Sequence, residues 1–220
     1  MRRLCWIVGP LVLLMAHSQS WAQDLVTTGP LHGSSSEKVG TVFPSGTHML
    51  LDALSIEEFL KELDESPPDW PAVYGHGHHD PGHDDRLFDL NRKRDAKREG
   101  RAVLSWHIAF AWLGELSNFD DRLRQYAVSL GPKFVSTAWG VVRFKPEDVP
   151  ANLRVTLSTS DQERLRVKQE NGSPFEIEVI MSGRLVPDES IVYDFSHEEE
   201  GGGLIMPVVR IEQIAYFSIQ

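Results

Sequence analysis

Alternation of apolar and polar residues in the C-terminal part of the chain is the feature that most restricts the fold. Leu153, Val155 and Leu157 alternate with polar residues, and the same period continues through residues 175–181 and 191–195. A period of two places successive side chains on opposite faces of a strand, so these segments predict half-buried strands. Because only short loops join them, we expect an antiparallel β-barrel or sandwich, and an OB-like barrel is one form that fits.

Further strand and turn signals extend this prediction. The alternation of residues 164–168 predicts another strand, which the Asn171-Gly172 pair would end in a hairpin turn. Residues 103–112 and 134–144 are also predicted to be strands. Residues 204–219 form a last apolar segment whose alternation changes phase near Arg210, as a β-bulge requires.

Helix signals are confined to the region before and around the first of these strands. A capping-box spacing predicts a helix over residues 55–65, and residues 86–101 predict an exposed helix. Asn118 with two aspartates predicts a short helix reaching Ser129, whereas Gly, Pro, His and Asp make residues 71–85 a loop. The fold class is therefore α+β, with an extended region and short helices over residues 23–101, which include a histidine-rich loop over residues 75–85, followed by a β-rich domain over residues 102–220.

The N-terminus has the pattern of a secretory signal peptide. Arg2 and Arg3 precede an apolar stretch, and Ser20 and Ala22 occupy the small-residue positions of a cleavage site, which predicts a mature start at Gln23. The apolar stretch is shorter than the roughly 20 residues of a membrane span. We therefore expect residues 1–22 to be removed, leaving no transmembrane span, and the protein to be periplasmic or secreted.

Charge and cysteine content exclude several classes of protein. The chain has 22 Lys and Arg against 32 Asp and Glu, a formal net charge of −10. A general nucleic-acid-binding protein needs a basic surface, so no nucleic-acid partner is expected. Cys5 is the only cysteine and lies inside the predicted signal peptide. The mature protein therefore has neither disulfides nor a cysteine nucleophile.

A histidine-rich loop over residues 75–85 is the sharpest functional signal. It contains four histidines and three aspartates, and imidazole and carboxylate are ligands that Zn²⁺, Ni²⁺ and Cu²⁺ accept. The predicted ligands are His76, His78, His79, His83, Asp80 and Asp84. Because a glycine-rich loop loses conformational freedom on binding, and imidazole must be neutral to coordinate, we expect modest, reversible binding that weakens in mild acid.

The sequence therefore predicts an exported, non-enzymatic accessory protein that binds a divalent metal reversibly. One alternative is an adaptor whose β-domain binds a protein or small ligand while the histidine-rich loop is a passive linker. In either case, the basic helix over residues 86–101 or the β-domain could contact a protein partner. The familiar nucleophile-elbow, zinc-protease and phosphate-loop motifs are absent from the sequence, so no catalytic or cofactor-binding residue is predicted. A secreted hydrolase is the third alternative.

Overall fold

Six strands of the protein close into a β-barrel. A computed structural model describes residues 28–33, 36–76, 80–186, 191–195 and 202–219. The barrel strands are β1 (Thr28–His32), β3 (His107–Asp120), β4 (Gln125–Gly131), β8 (Arg154–Thr156), β9 (Glu176–Leu185) and β11 (Gly203–Ser218). They pair in the order β1-β8-β4-β3-β9-β11, and β11 returns to β1. The expectation of a β-barrel or sandwich is confirmed in the form of a closed barrel with additional strands.

Five shorter strands extend this barrel. They are β2 (His48–Leu50), β5 (Val135–Thr137), β6 (Gly140–Val142), β7 (Lys145–Pro146) and β10 (Ile191–Phe195). The long pairings of β3, β9 and β11 are antiparallel, but β1 runs parallel to β8 and β11, and β2 runs parallel to β3. Within the C-terminal part, β6 and β7 also run parallel to β11. The prediction of an antiparallel sheet is therefore wrong for these pairings, because the chain between the paired strands is long enough for the crossover that parallel pairing requires.

Five α-helices and one 3₁₀ helix accompany the described strands. They are α1 (Ser36–Val42), α2 (Ala53–Asp64), α3 (Trp70–Tyr74), α4 (His83–Arg98), the 3₁₀ helix (Ala102–Ser105) and α5 (Thr159–Glu170). Asp52 caps the N-terminus of α2: its carboxylate accepts the backbone N–H of Ser55, and the Ser55 hydroxyl oxygen accepts the Asp52 N–H. The true N-cap thus lies three residues before the serine that sequence spacing favours. Among the described helices, none is long and apolar enough to span a membrane.

The two faces of β3 pack against different parts of the chain. Ile108, Phe110 and Trp112 are buried in the main core, which also receives the apolar side of α2 and the side chains of α3. The alternate residue Ala109 belongs to a smaller cluster outside the barrel wall, beneath Val39 and Phe43. A strand buried on both faces explains why small residues alternate with bulky ones along β3.

The predicted change of phase in the last strand is a β-bulge. Ile211 lies opposite Gly183, but Gln213 lies opposite the next residue, Ser182, so Glu212 is the extra residue. A Cβ atom on Gly183 would lie 1.9 Å from the carbonyl oxygen of Arg210. Glycine is therefore required where the bulged strand approaches β9.

Three local predictions are wrong. Residues 164–168 belong to helix α5, which Ser158 caps by accepting the backbone N–H of Asp161. Residues 118–129 form the end of β3, a turn and β4 instead of a helix. Asp120 accepts the backbone N–H groups of the turn, a role that short acidic side chains fill as readily as helix capping. Helix α3 ends at Tyr74 and helix α4 begins at His83, so both extend into residues 71–85, the stretch predicted to be a loop.

Candidate functional site

The carboxylate of Asp80 holds together the two ends of the histidine-rich loop. Its oxygens accept the backbone N–H of Gly82 at 2.9 Å and that of His76 at 3.1 Å, and they pair with the Arg86 guanidinium at 3.1 Å. These bonds, led by the Gly82 N–H, lower the pKa of Asp80 well below its usual range. Asp80, predicted as a ligand, is therefore fully engaged within the protein, and we infer that it shapes the loop.

Arg86 connects this loop to the end of α3. Its Nε donates to the carbonyl oxygen of Val73 at 2.8 Å, and one terminal nitrogen donates to that of Tyr74 at 3.1 Å. The Gly75 backbone lies close to both side chains, since a Cβ atom added to Gly75 would be 2.4 Å from Arg86 and 2.5 Å from Asp80. Gly75 also has a φ of +63°, which favours glycine. The end of α3 and the start of α4 are thus fixed relative to each other.

At the start of α4, a ring nitrogen of His83 and a carboxylate oxygen of Asp84 face each other. The Nδ1 of His83 lies 2.6 Å from the carbonyl oxygen of Asp80, which can only accept, so this nitrogen carries a proton. The Nε2 of His83 lies 3.2 Å from a carboxylate oxygen of Asp84. With Nδ1 protonated, a neutral imidazole presents a lone pair to the carboxylate, so a proton or a metal ion between them stabilises the arrangement.

The geometry of this pair matches two ligands of one ion. Nitrogen and oxygen ligands about 2.0–2.2 Å from a tetrahedral Zn²⁺ lie about 3.3–3.5 Å apart, close to the observed 3.2 Å between His83 and Asp84. An imidazole whose other nitrogen donates to a backbone carbonyl is typical of metal-binding histidines. The side chain of His83 is 20% exposed and that of Asp84 is 85% exposed, so the pair is open to solvent.

The remaining predicted ligands are only partly described. His76 lies exposed just after α3, and His78 and His79 fall outside the described residues. Across the ranges that the structure describes, no group of three or more His, Cys, Asp or Glu side chains is arranged to hold a metal ion. Two of the six predicted ligands, His83 and Asp84, are therefore brought together.

The basic stretch over residues 86–101 mostly binds the protein itself. Arg94 donates to the carbonyl oxygen of Ser66 at 2.7 Å, and Arg101 donates to that of Glu62 at 3.1 Å. These carbonyls lie at or just beyond the end of α2, where a helix lacks its own donors and favours cations. Three basic residues remain exposed: Arg92, Lys93 and Lys97.

Arg98 forms a buried ion pair that sequence reasoning missed. Its guanidinium donates two hydrogen bonds of 2.7 Å to Asp64, a third of 2.8 Å to Asp95 and one of 3.2 Å to the Ile191 carbonyl. Tyr193 also donates its hydroxyl to Asp64, and burial raises the pKa of Tyr193 well above its usual value. This network fixes α4, and hence His83, against α2 and β10.

A separate cleft of about 480 Å³ lies between β2 and α2. The rings of His48 and Trp106 stack along one side, with centroids 3.7 Å apart and planes within 3°. Phe59 contributes an apolar surface, whereas Glu58 and Lys61 contribute charge. A cleft with aromatic walls and a few charged groups suits a small ligand or a peptide segment.

Next to this cleft, a hydroxyl, an imidazole and a carboxylate form a row of hydrogen-bonding contacts in space. The Oγ1 of Thr47 is 2.8 Å from the Nδ1 of His107, whose Nε2 is 3.2 Å from Glu212 on the bulge. Arg184 pairs with the same carboxylate at 3.3 Å. Thr47 also lies 2.7 Å from the carbonyl oxygen of Pro44. These contacts hold the loop before β2 against the barrel, so His107 has the role of a hydrogen-bonded structural residue.

Comparison of this chain with models of protein families, with curated proteins and with solved structures found no match.

Proposed function

We propose that this chain is an exported, non-enzymatic accessory protein that binds a divalent metal ion reversibly through its histidine-rich loop. The observation that carries the proposal is the 3.2 Å separation between His83 Nε2 and Asp84, with Nδ1 of the same ring held by a backbone carbonyl. His76, His78 and His79 would supply further ligands. Zn²⁺, Ni²⁺ and Cu²⁺ all accept this combination of nitrogen and oxygen ligands.

The anchored loop also supports reversible binding. Because Asp80 and Arg86 already fix both ends of the loop, a metal ion has fewer residues to order than in a free linker. The exposed carboxylate of Asp84 leaves a route for exchange with solvent.

Isothermal titration of residues 23–220 with Zn²⁺, Ni²⁺ and Cu²⁺ at neutral pH tests the proposal. His83→Ala and Asp84→Asn should each weaken uptake by at least about tenfold, and alanine at His76, His78, His79 and His83 together should abolish it. Asp85→Asn is the matched control, since it removes an exposed carboxylate one residue further along α4. Equal uptake by the wild type and the four-histidine variant would contradict the proposal.

The export part of the proposal rests on the N-terminal pattern and on the absence of cysteine after Cys5. Placement in the periplasm or outside the cell predicts an N-terminus at Gln23. Mass spectrometry of the protein from the periplasmic fraction of a Gram-negative expression host measures this directly. An intact Met1 on protein confined to the cytosol would contradict export.

A second candidate function is binding of a peptide or small ligand in the cleft beside His48 and Trp106, whose strand β2 pairs with β3 of the β-domain. In this function the closed barrel is a rigid support for the cleft, as in OB-like and other small barrels. A panel of short peptides can be screened by Trp fluorescence against the wild type, His48→Ala and His83→Ala. Loss of binding in His48→Ala alone would favour the cleft, whereas peptide binding that neither substitution weakens would count against it.

A further inference from the structure

Two carboxylates that line the cleft between β2 and α2 have no partner among the described residues. Glu58 and Glu62 lie one turn apart on α2, and both are exposed. Neither side chain takes part in a hydrogen bond or an ion pair with any described residue. Because like charges four residues apart on a helix repel each other, a cation that binds beside both of them relieves this repulsion.

The other carboxylates near this helix are already occupied. Residues 52–65 contain six carboxylates and one lysine. Four of the carboxylates accept hydrogen bonds within the protein: Asp52 from the Ser55 N–H, Glu57 from the Ala138 N–H, Asp64 from Arg98 and Glu65 from Arg101. Lys61 also lines the cleft, but it forms no ion pair with a described residue. The uncompensated negative charge of this region therefore lies at the cleft.

The walls of the cleft favour an organic cation over a metal ion. Trp106 is half-buried in the wall and stacks on His48, and an indole ring attracts a positive group electrostatically. The described residues contain no group of three or more His, Cys, Asp or Glu side chains arranged to hold a metal ion. The volume of about 480 Å³ is in the range of sites for small organic groups.

Strand β2 offers the ligand a backbone partner. All three of its residues, His48–Leu50, line the cleft, and among the described strands β2 pairs only with β3. A strand with one unpaired edge presents backbone N–H and C=O groups to an extended peptide, and a pocket beside the strand selects a side chain. A peptide with a basic residue therefore suits both the strand and the two carboxylates.

We propose that the cleft binds an extended peptide through a basic side chain, whose charged group lies between Trp106 and the carboxylates of Glu58 and Glu62. This inference rests on the second candidate function, ligand binding in the cleft, and specifies the ligand. A guanidinium stacks on aromatic rings and donates paired hydrogen bonds to carboxylates, so arginine should bind more tightly than lysine.

Short capped peptides of the form Ala-X-Ala, with X as Arg, Lys, Gln or Glu, test this preference by NMR titration of residues 23–220. The Arg peptide should bind at least about tenfold more tightly than the Gln peptide and should shift the indole N–H signal of Trp106, whereas the Glu peptide should bind most weakly. Added salt should reduce the difference. Equal binding of the Arg and Gln peptides at the cleft would overturn this proposal alone, whereas no peptide binding at the cleft would contradict the second candidate function as well.

Matched charge variants locate the site. Glu58→Gln/Glu62→Gln should weaken binding of the Arg peptide by at least about tenfold and leave that of the Gln peptide unchanged. Lys61→Gln should tighten binding of the Arg peptide, because it removes a cation that lines the cleft. The control Asp85→Asn/Asp121→Asn neutralises two exposed carboxylates outside the cleft and should bind as the wild type does.

Circular dichroism checks that each variant folds, and Lys61→Gln keeps the test available if the double glutamate variant does not. Unchanged binding of the Arg peptide in the folded Glu58→Gln/Glu62→Gln variant, or in Lys61→Gln, would overturn the proposal.

Discussion

The buried pair of Asp64 and Arg98 predicts a large loss of stability when one partner alone is removed. Their side chains are 1% and 2% exposed, and two hydrogen bonds of 2.7 Å join them. Asp64→Asn leaves the Arg98 guanidinium buried with one remaining carboxylate, that of Asp95, which is 56% exposed. Breaking a buried pair costs about 3–5 kcal/mol. Because Asp95 still compensates part of the charge, we expect the lower end, about 3 kcal/mol.

Urea unfolding followed by circular dichroism measures this loss. The control is Arg166→Gln on α5, which breaks an ion pair with Glu163 whose side chains are 57% and 61% exposed. That substitution should cost less than about 1 kcal/mol. The triple variant Asp64→Leu/Arg98→Met/Tyr193→Phe should recover most of the loss, because it removes both charges and the buried hydroxyl that donates to Asp64. A cost for Asp64→Asn no larger than that of the control would refute this account of how α4 is held.

Two further predictions concern the barrel and the buried phenols. Gly183→Ala should destabilise the protein by about 2 kcal/mol or more in urea unfolding, because its Cβ would lie 1.9 Å from the Arg210 carbonyl oxygen. The control is Gly131→Ala, whose Cβ meets open space and which should cost little. Similar losses in both variants would contradict this prediction. Burial raises the pKa of Tyr193 above its usual value and that of Tyr216 to about 12. In the unfolded chain, the two phenols lose their protons near pH 10, whereas in the folded protein they keep them to higher pH. The free energy of unfolding should therefore fall between pH 10 and 12 from its value at pH 9, and this fall should be smaller in Tyr193→Phe.

The barrel was predictable where strand periodicity reflects burial on one face. The alternation of β9, the end of β11 and the phase change at the bulge are direct consequences of packing on the barrel interior. The hairpin of β5 and β6 also lies within a segment predicted to be extended. Each of these features depends on residues that are close together in the chain, so the pattern of apolar and polar residues is enough to predict it.

Helix α5 shows where periodicity fails. Leu165 is its only buried residue, so the helix has almost no apolar stripe, and the alternating residues 164–168 imitate a strand. The Ser158 cap, three residues before Asp161, was the signal that could have identified it. At the β3–β4 turn the error is the reverse, since Asp120 serves a turn with the same chemistry that caps a helix.

The candidate site could be predicted in composition but not in arrangement. The sequence identifies His83 and Asp84 as ligand types, yet the orientation of the imidazole depends on the Asp80 carbonyl. Likewise, the charge of Arg98 indicates an exposed helix until the fold brings Asp64 beside it, 34 residues away in the chain. The first contact depends on the exact backbone conformation of the loop and the second on a long-range pairing, and hydrophobic periodicity predicts neither.

X-ray absorption at the zinc edge tests the central claim most directly. Wild-type protein (residues 23–220) loaded with one equivalent of Zn²⁺ should show nitrogen and oxygen ligands at about 2.0–2.2 Å, with the outer-shell scattering of imidazole and no sulfur. A His83→Ala/Asp84→Asn variant should lose most of the imidazole and carboxylate signal or retain no zinc. Zinc that is bound only by water, or an identical spectrum from the variant, would contradict a metal centre at the start of α4.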